Sequence, residues 1–273
     1  MKKNFKYQIV AFAIMLILAR SVHAGAQQIS ISPARITFHG EPGQTVSETV
    51  LISNSGDTNF EFVTSVKDWK RDAIGNKLYQ PAGTLPHSNA EQVRLTETHF
   101  VVAPHERKTV TVYMDIPQAN DPIATNSMLF FTQTNPSERK SAAQGAIGIK
   151  IGYEFAIQVF YNSNLAKKGE VEFDSFDYKP TSDKNTPSSL VVGYHNTGEI
   201  NKTGQLRVEL TNKHTGQEIK LQPSPVAIMP LGKQFINVVL PADLPKGDYL
   251  AVGMLDTGAG YRLKVGEKNF HVE

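Results

Sequence analysis

Eight histidines are the residues best suited to proton transfer or metal binding: His23, His39, His87, His99, His105, His195, His214 and His271. A helical zinc site needs two of them four apart on one face, so that both imidazoles reach the metal from the same side. No such pair occurs, and neither HExxH nor His-x-His is present. A Gly-x-Ser-x-Gly nucleophile elbow and a glycine-rich phosphate cradle are also missing. The chain has no cysteine, which excludes thiol catalysis, thiolate-bound zinc and iron–sulfur clusters. Carboxylates are plentiful, but their spacing singles out no catalytic pair. A Ser/His/Asp set assembled by the fold stays open, because triads are defined by geometry and not by order in the chain. These residues read as a protein without enzymatic activity and without a cofactor.

Two residues suggest binding instead. Arg35 sits in SPARITF between a proline break and an apolar pair, where its planar fork is placed to grip a carboxylate. The alternative is a rim salt bridge of little worth. Trp69, in DWKRD, is the single tryptophan. It is either a sugar-stacking face or part of the cover of a β-sandwich.

The elements that position these residues read as strands. Short alternating runs recur between Gly, Pro, Asn, Asp and Ser: 44–53, 60–66, 108–116, 127–134, 189–195, 205–210, 233–240 and 248–255. This spacing predicts an antiparallel β-sandwich and not a parallel α/β sheet. Around Pro33 the apolar positions change parity, from Ile29 and Ile31 to Ile36 and Phe38. A parity change turns side chains to the opposite face, and proline belongs at a break. The first strand is therefore read as kinked, changing sheets midway; two short unrelated strands are the alternative.

An internal repeat supports two copies of one unit. Asn54-Ser55-Gly56 precedes a strand bracketed by Pro104 and Pro117, and Asn196-Thr197-Gly198 precedes one bracketed by Pro230 and Pro241. The first copy is longer by a turn-rich stretch at 68–90, read as a long loop or an extra hairpin. The boundaries read as 28–161 for the first domain, 162–169 for a polar hinge and 170–273 for the second domain.

The longest alternating stretch is GAIGIKIGYEFAIQVFY, 145–161. Ile147, Ile149, Ile151, Tyr153, Phe155, Ile157, Val159 and Tyr161 share one face, and Phe160 breaks the pattern. As one strand it would run roughly 56 Å at 3.3 Å per residue, far beyond the usual five or six residues. Either the first domain covers that face throughout, or another molecule does.

At the amino end, Lys2, Lys3 and Lys6 precede an apolar run over 9–19 and a small-x-small site at Val22-His23-Ala24. This reads as a secretory signal over 1–24, giving an exported, periplasmic chain; an uncleaved membrane anchor is the alternative. No later run has 18 apolar residues, so no integral membrane segment is expected in the mature chain. Of the 28 Lys and Arg, four fall in 1–24, and the remaining 24 face 26 Asp and Glu. That balance gives no general attraction to nucleic acid or anionic lipid.

Taken together, ARITF (34–38), NSMLFFTQTNPS (126–137) and the long stretch ending QVFY (158–161) resemble the PapD-like periplasmic pilus-assembly chaperones. The resemblance covers the first domain well and the second in outline. It implies two immunoglobulin-like β-sandwich domains in tandem as an L-shaped pair, an all-β fold. It also implies a chaperone that binds, folds and caps fimbrial subunits (pilins) by donor-strand complementation and delivers them to an outer-membrane usher. The donated residues would be Ile147, Ile149, Ile151 and Tyr153, inserted in a groove of the subunit. Arg35 matches the arginine that holds the subunit's terminal carboxylate. The family's partner lysine falls on Gln158, which can hydrogen-bond but carries no charge, so the anchor is weakened or built differently. The same strands would let two free copies cap one another as a homodimer. The competing function is a structural or adhesive exported β-sandwich, such as a surface or carbohydrate-binding module.

Overall fold

The computed structural model describes residues 28–118, 123–136, 138–139, 149–181 and 187–273. The proposed signal at 1–24 and Ile147 lie outside the described residues. Twelve strands form the first unit: β1 (Ile29–Ser32), β2 (Arg35–Phe38), β3 (Thr45–Asn54), β4 (Phe60–Arg71), β5 (Lys77–Gln80), β6 (Val93–Leu95), β7 (His99–Val102), β8 (Arg107–Asp115), β9 (Thr125–Gln133), β10 (Glu138–Arg139), β11 (Ile149–Lys150) and β12 (Glu154–Tyr161). Eight form the second: β13 (Val171–Lys179), β14 (Ser189–Asn196), β15 (Lys202–Asn212), β16 (Glu218–Lys220), β17 (Ser224–Ile228), β18 (Lys233–Val239), β19 (Gly247–Asp256) and β20 (Lys264–Val272). The chain is two immunoglobulin-like β-sandwiches, all-β as the alternation and turn spacing predict.

In the first sandwich the sheet β1-β3-β8-β6 faces the sheet β2-β12-β9-β4-β5, to which β7 adds beside β4. Their inner faces share one core containing Ile36, Phe38, Ile52, Phe62, Val110, Leu129, Phe131, Ile157 and Val159. The change of parity at Pro33 is a change of sheet. β1 pairs antiparallel with β3, while β2 pairs parallel with β12. The stretch at 68–90 begins as a hairpin, with Lys70 opposite Leu78 and Arg71 opposite Lys77.

The second sandwich packs β13-β14-β18 against β16-β15-β19-β20, with β17 beside β15, around Leu190, Val192, Leu210, Tyr249 and Ala251. The internal repeat is visible atom by atom. Asn54 donates through Nδ2 to the carbonyls of Thr58, Val102 and Ala103, and accepts from the Gly56 amide. Asn196 donates to the carbonyls of Ile200 and Met229 and accepts from the Gly198 amide. Each asparagine amide also donates to the residue just past a left-handed non-glycine turn residue: Glu106 after His105 (φ 58°), and Gly232 after Leu231 (φ 54°).

The long alternating stretch does not form one strand. Ile149–Lys150 pairs with Glu138–Arg139 as a separate two-stranded ribbon, and Glu154–Tyr161 joins the large sheet. Ile151 and Gly152 lie in neither ladder. The break corrects the expectation of a single 17-residue strand: β9, the neighbour of β12, ends at Gln133, and pairing resumes only between Glu138–Arg139 and Ile149–Lys150.

Candidate partner-binding site

The large sheet has an unpaired segment where the candidate residues meet. β12 is covered on one side by β9 along its whole length, from Glu154↔Thr132 to Tyr161↔Thr125. On its other side β2 covers only Gln158 to Tyr161, beginning at the Gln158↔Arg35 pair. The last backbone bond toward that side is from the Gln158 amide to the Ala34 carbonyl, 3.1 Å. Among the described residues, no strand lies beside Glu154–Ile157 on this edge. Unpaired edge groups of this kind are a template for an incoming strand.

Arg35 stands at the end of that opening. Its guanidinium donates through Nη2 to Gln158 Oε1 at 3.1 Å and lies over the Phe160 ring, 5.2 Å from the centroid. Adjacency across the β2–β12 register makes this contact possible. Toward Arg35 the Gln158 side-chain oxygen accepts. Burial lowers the Arg35 pKa from its usual value, and among the described residues no carboxylate pairs with it. A half-buried guanidinium with spare donors and no counter-ion is suited to a carboxylate brought by another molecule.

The residues expected to be donated are only partly together. Ile151 is 55% exposed and Tyr153 is 36% exposed. Tyr153 nevertheless leans on the first sandwich, with its ring 6.1 Å from both Phe60 and Phe155. Its backbone extends the β9 pairing by one step, since the Gln133 amide donates to its carbonyl at 2.9 Å. Ile149 is placed by its backbone pairing with Arg139.

Sequence reasoning missed the opposite face of this sheet. Trp69, Met128, Phe130 and Phe160 form a second apolar layer there, against which Met229 of the second sandwich packs. Phe160 broke the alternation because it belongs to this layer, which was the available signal. Trp69 is 1% exposed and donates through Nε1 to the Ser127 carbonyl at 2.9 Å. It is sandwich cover, and its burial removes it as a sugar-stacking face. The loop over this layer is tied to Asp68, whose carboxylate accepts from the amides of Gly83, Thr84 and Leu85 and from the Ser88 hydroxyl. Burial pushes the Asp68 carboxyl up, but these hydrogen bonds outweigh it and hold the group below its ordinary value. A cavity of about 180 Å³ separates the sandwiches here, lined by Trp69, Arg71, His87, Asn126, Met229 and Pro230 among others. Among the described residues, no group of three or more His, Asp or Glu is placed to hold a metal, and no helix is long and apolar enough to cross a membrane.

Fold and edge together describe a two-domain immunoglobulin-like protein with one sheet edge left open beside a half-buried arginine. No protein-family model matches the chain, and no curated protein matches it in sequence. Its fold is similar to several solved structures. One belongs to the CsuC–CsuE chaperone–tip adhesion subunit pre-assembly complex of Acinetobacter baumannii, at 12% identity over 88% of this chain and 97% of that one, TM-score 0.47. The Pseudomonas aeruginosa CupB2 chaperone is similar at 12% identity over 89% and 100%, TM-score 0.46. The E. coli chaperone DraB is similar at 13% identity over 90% and 97%, TM-score 0.44.

Proposed function

We propose that the protein is a periplasmic chaperone that binds, folds and caps fimbrial subunits by donor-strand complementation and hands them to an outer-membrane usher. One observation carries the reading: the edge of β12 is open from Glu154 to Ile157, and Arg35 closes its far end. A subunit strand entering this gap in line with β2 would run parallel to β12. Its backbone would take up the free edge groups. Its chain end would stop at the guanidinium, where a terminal carboxylate finds a partner already desolvated. Upstream, the exposed face of Ile151 and the half-exposed Tyr153, with Ile149 and Ile147 before them, would enter the groove that the subunit lacks a strand to fill. Each fully buried isoleucine contributes roughly 1.5–3 kcal/mol, so a few suffice for firm capture after the ordering cost. No nucleotide is required, because the folding of the subunit drives the exchange. A pair of free copies would cap each other through the same strands as a homodimer.

The test is tagged purification from periplasm, comparing wild type with Arg35→Ala and with the Ile149→Asp, Ile151→Asp double variant. The expected result is a small β-sheet protein bound one-to-one to wild type, weakened by Arg35→Ala and lost with the double variant while its melting temperature stays near wild type. A wild type that purifies alone, or a double variant that simply unfolds, would overturn the reading.

A further inference from the structure

Three cations lie over the aromatic rings of the large sheet's outer face, with no acidic partner among the described residues. Arg35 lies over Phe160, whose ring is 5.9 Å from Trp69, and over Trp69 lie Arg71 at 5.4 Å and Lys77 at 5.9 Å. Arg71 and Lys77 face each other directly across the β4–β5 hairpin, an arrangement that costs stability because like charges repel. Among the described residues none of the three forms an ion pair. Arg71 spends one donor on the Gly75 carbonyl at 2.6 Å and keeps the rest. The hairpin tip is fixed against the second sandwich by the Phe235 amide, which donates to the Ala73 carbonyl at 2.8 Å. The cations are therefore held in place and are not free on a loose loop.

We propose that Arg35, Arg71 and Lys77 form one carboxylate-binding site on the Trp69–Phe160 floor, with the β4–β5 hairpin supplying the positive charge that Gln158 lacks. Three features carry this. The repulsion across the hairpin has no compensating acid in the described chain, so a bound anion is what would offset it. The aromatic floor attracts cations by its ring faces and leaves their outer donors for a ligand. The planar guanidiniums suit a planar carboxylate. Burial lowers the pKa of all three groups, and Arg71 and Arg35 lower that of Lys77 further; a bound carboxylate would oppose that lowering by favouring the charged forms. That the carboxylate is the chain end of a captured subunit strand rests on the function proposed above; the anion site itself does not.

The test uses the fluorescence of Trp69, the single tryptophan, in the full mature chain. N-acetylglycine is titrated against its neutral isostere N-acetylglycinamide and against inorganic phosphate. The expected result is a saturable, salt-sensitive change with N-acetylglycine and none with the amide. Lys77→Gln should weaken binding about fivefold or more, Arg71→Lys should weaken it because the planar fork is lost, and the remote Lys213→Gln should leave it unchanged. Lys77 is exposed, so Lys77→Gln should melt at or slightly above wild type, since it removes a facing like charge. An equal response to the amide, tighter binding of phosphate, or full affinity in Lys77→Gln would overturn the site. The two readings fail separately. Subunit capture that Lys77→Gln and Arg71→Gln leave intact removes the hairpin from the anchor and spares the chaperone reading. N-acetylglycine binding with the expected variant pattern, but no captured subunit, keeps the anion site and removes the strand reading.

Discussion

Ile151→Ala separates a donated residue from a core residue by arithmetic. Ile151 is 55% exposed and lies in neither ladder, whereas Ile157, six residues on, is 2% exposed in the core. If a client groove buries what is now open, the gain is about 0.55 of the roughly 1.5–3 kcal/mol for a whole isoleucine, or about 0.8–1.7 kcal/mol. Removing it should weaken capture roughly 4- to 17-fold. The cost to folding should stay within about 0.5 kcal/mol, as for other exposed sites. Ile157→Ala should do the reverse, destabilising the first sandwich by about 2–5 kcal/mol before any effect on capture can be read. The assay pairs a urea denaturation curve for each variant with titration of the purified subunit into the free protein, followed by calorimetry. A loss of more than about 2 kcal/mol of stability in Ile151→Ala, or unchanged affinity at full stability, would refute the reasoning.

Two further predictions concern the scaffold. Asn54→Ala and Asn196→Ala each leave two or three strand-end carbonyls and one amide without their partner; each should cost about 2–3 kcal/mol by denaturant titration, and similar losses at the two sites would support a shared role. Asp68→Asn should cost about 2–3 kcal/mol at neutral pH and loosen the loop at 83–88, seen as faster amide exchange at Gly83–Leu85. The Asp68 carboxyl is held below its ordinary value of 3.8, so its contribution is full above that pH and falls as pH drops through the folded value. The stability gap between wild type and Asp68→Asn should therefore narrow below about pH 3.8; a gap that is constant or widens in acid would count against the hydrogen-bonded carboxylate.

What could be read from the chain follows from how strictly its side chains alternate. β3, β8 and β19 each bury chiefly one face, so their period of two is plain in the sequence. β13 has the same role but escaped notice. Val171 and Phe173 face the core on one parity, and Phe176 and Tyr178 on the other. The register shift between Phe173 and Ser175 resets the alternation, which is what a bulge does. The long stretch at 145–161 erred in the opposite direction. Its alternation continued, but strand length depends on a neighbour's backbone, which the pattern does not encode.

The same limit explains why Arg35 was legible and its cationic neighbours were not. Arg35 and Gln158 come together through the register of β2 and β12, two segments that the sequence motifs had singled out. Arg71 and Lys77 reach the same face by another route, through a hairpin that the repeat marked only as surplus length. That face carries a second apolar layer, and its one trace in the alternating stretch was Phe160, out of phase. An aromatic out of phase at the end of an otherwise regular strand is thus informative: it implies that both faces of the sheet are covered there. In this protein the second cover comes partly from the other sandwich, through Met229, and partly from Arg71 and Lys77 over Trp69. On the function proposed above, the open strand edge would offer pairing to an entering strand, and the charge beside Arg35 would set where that strand stops.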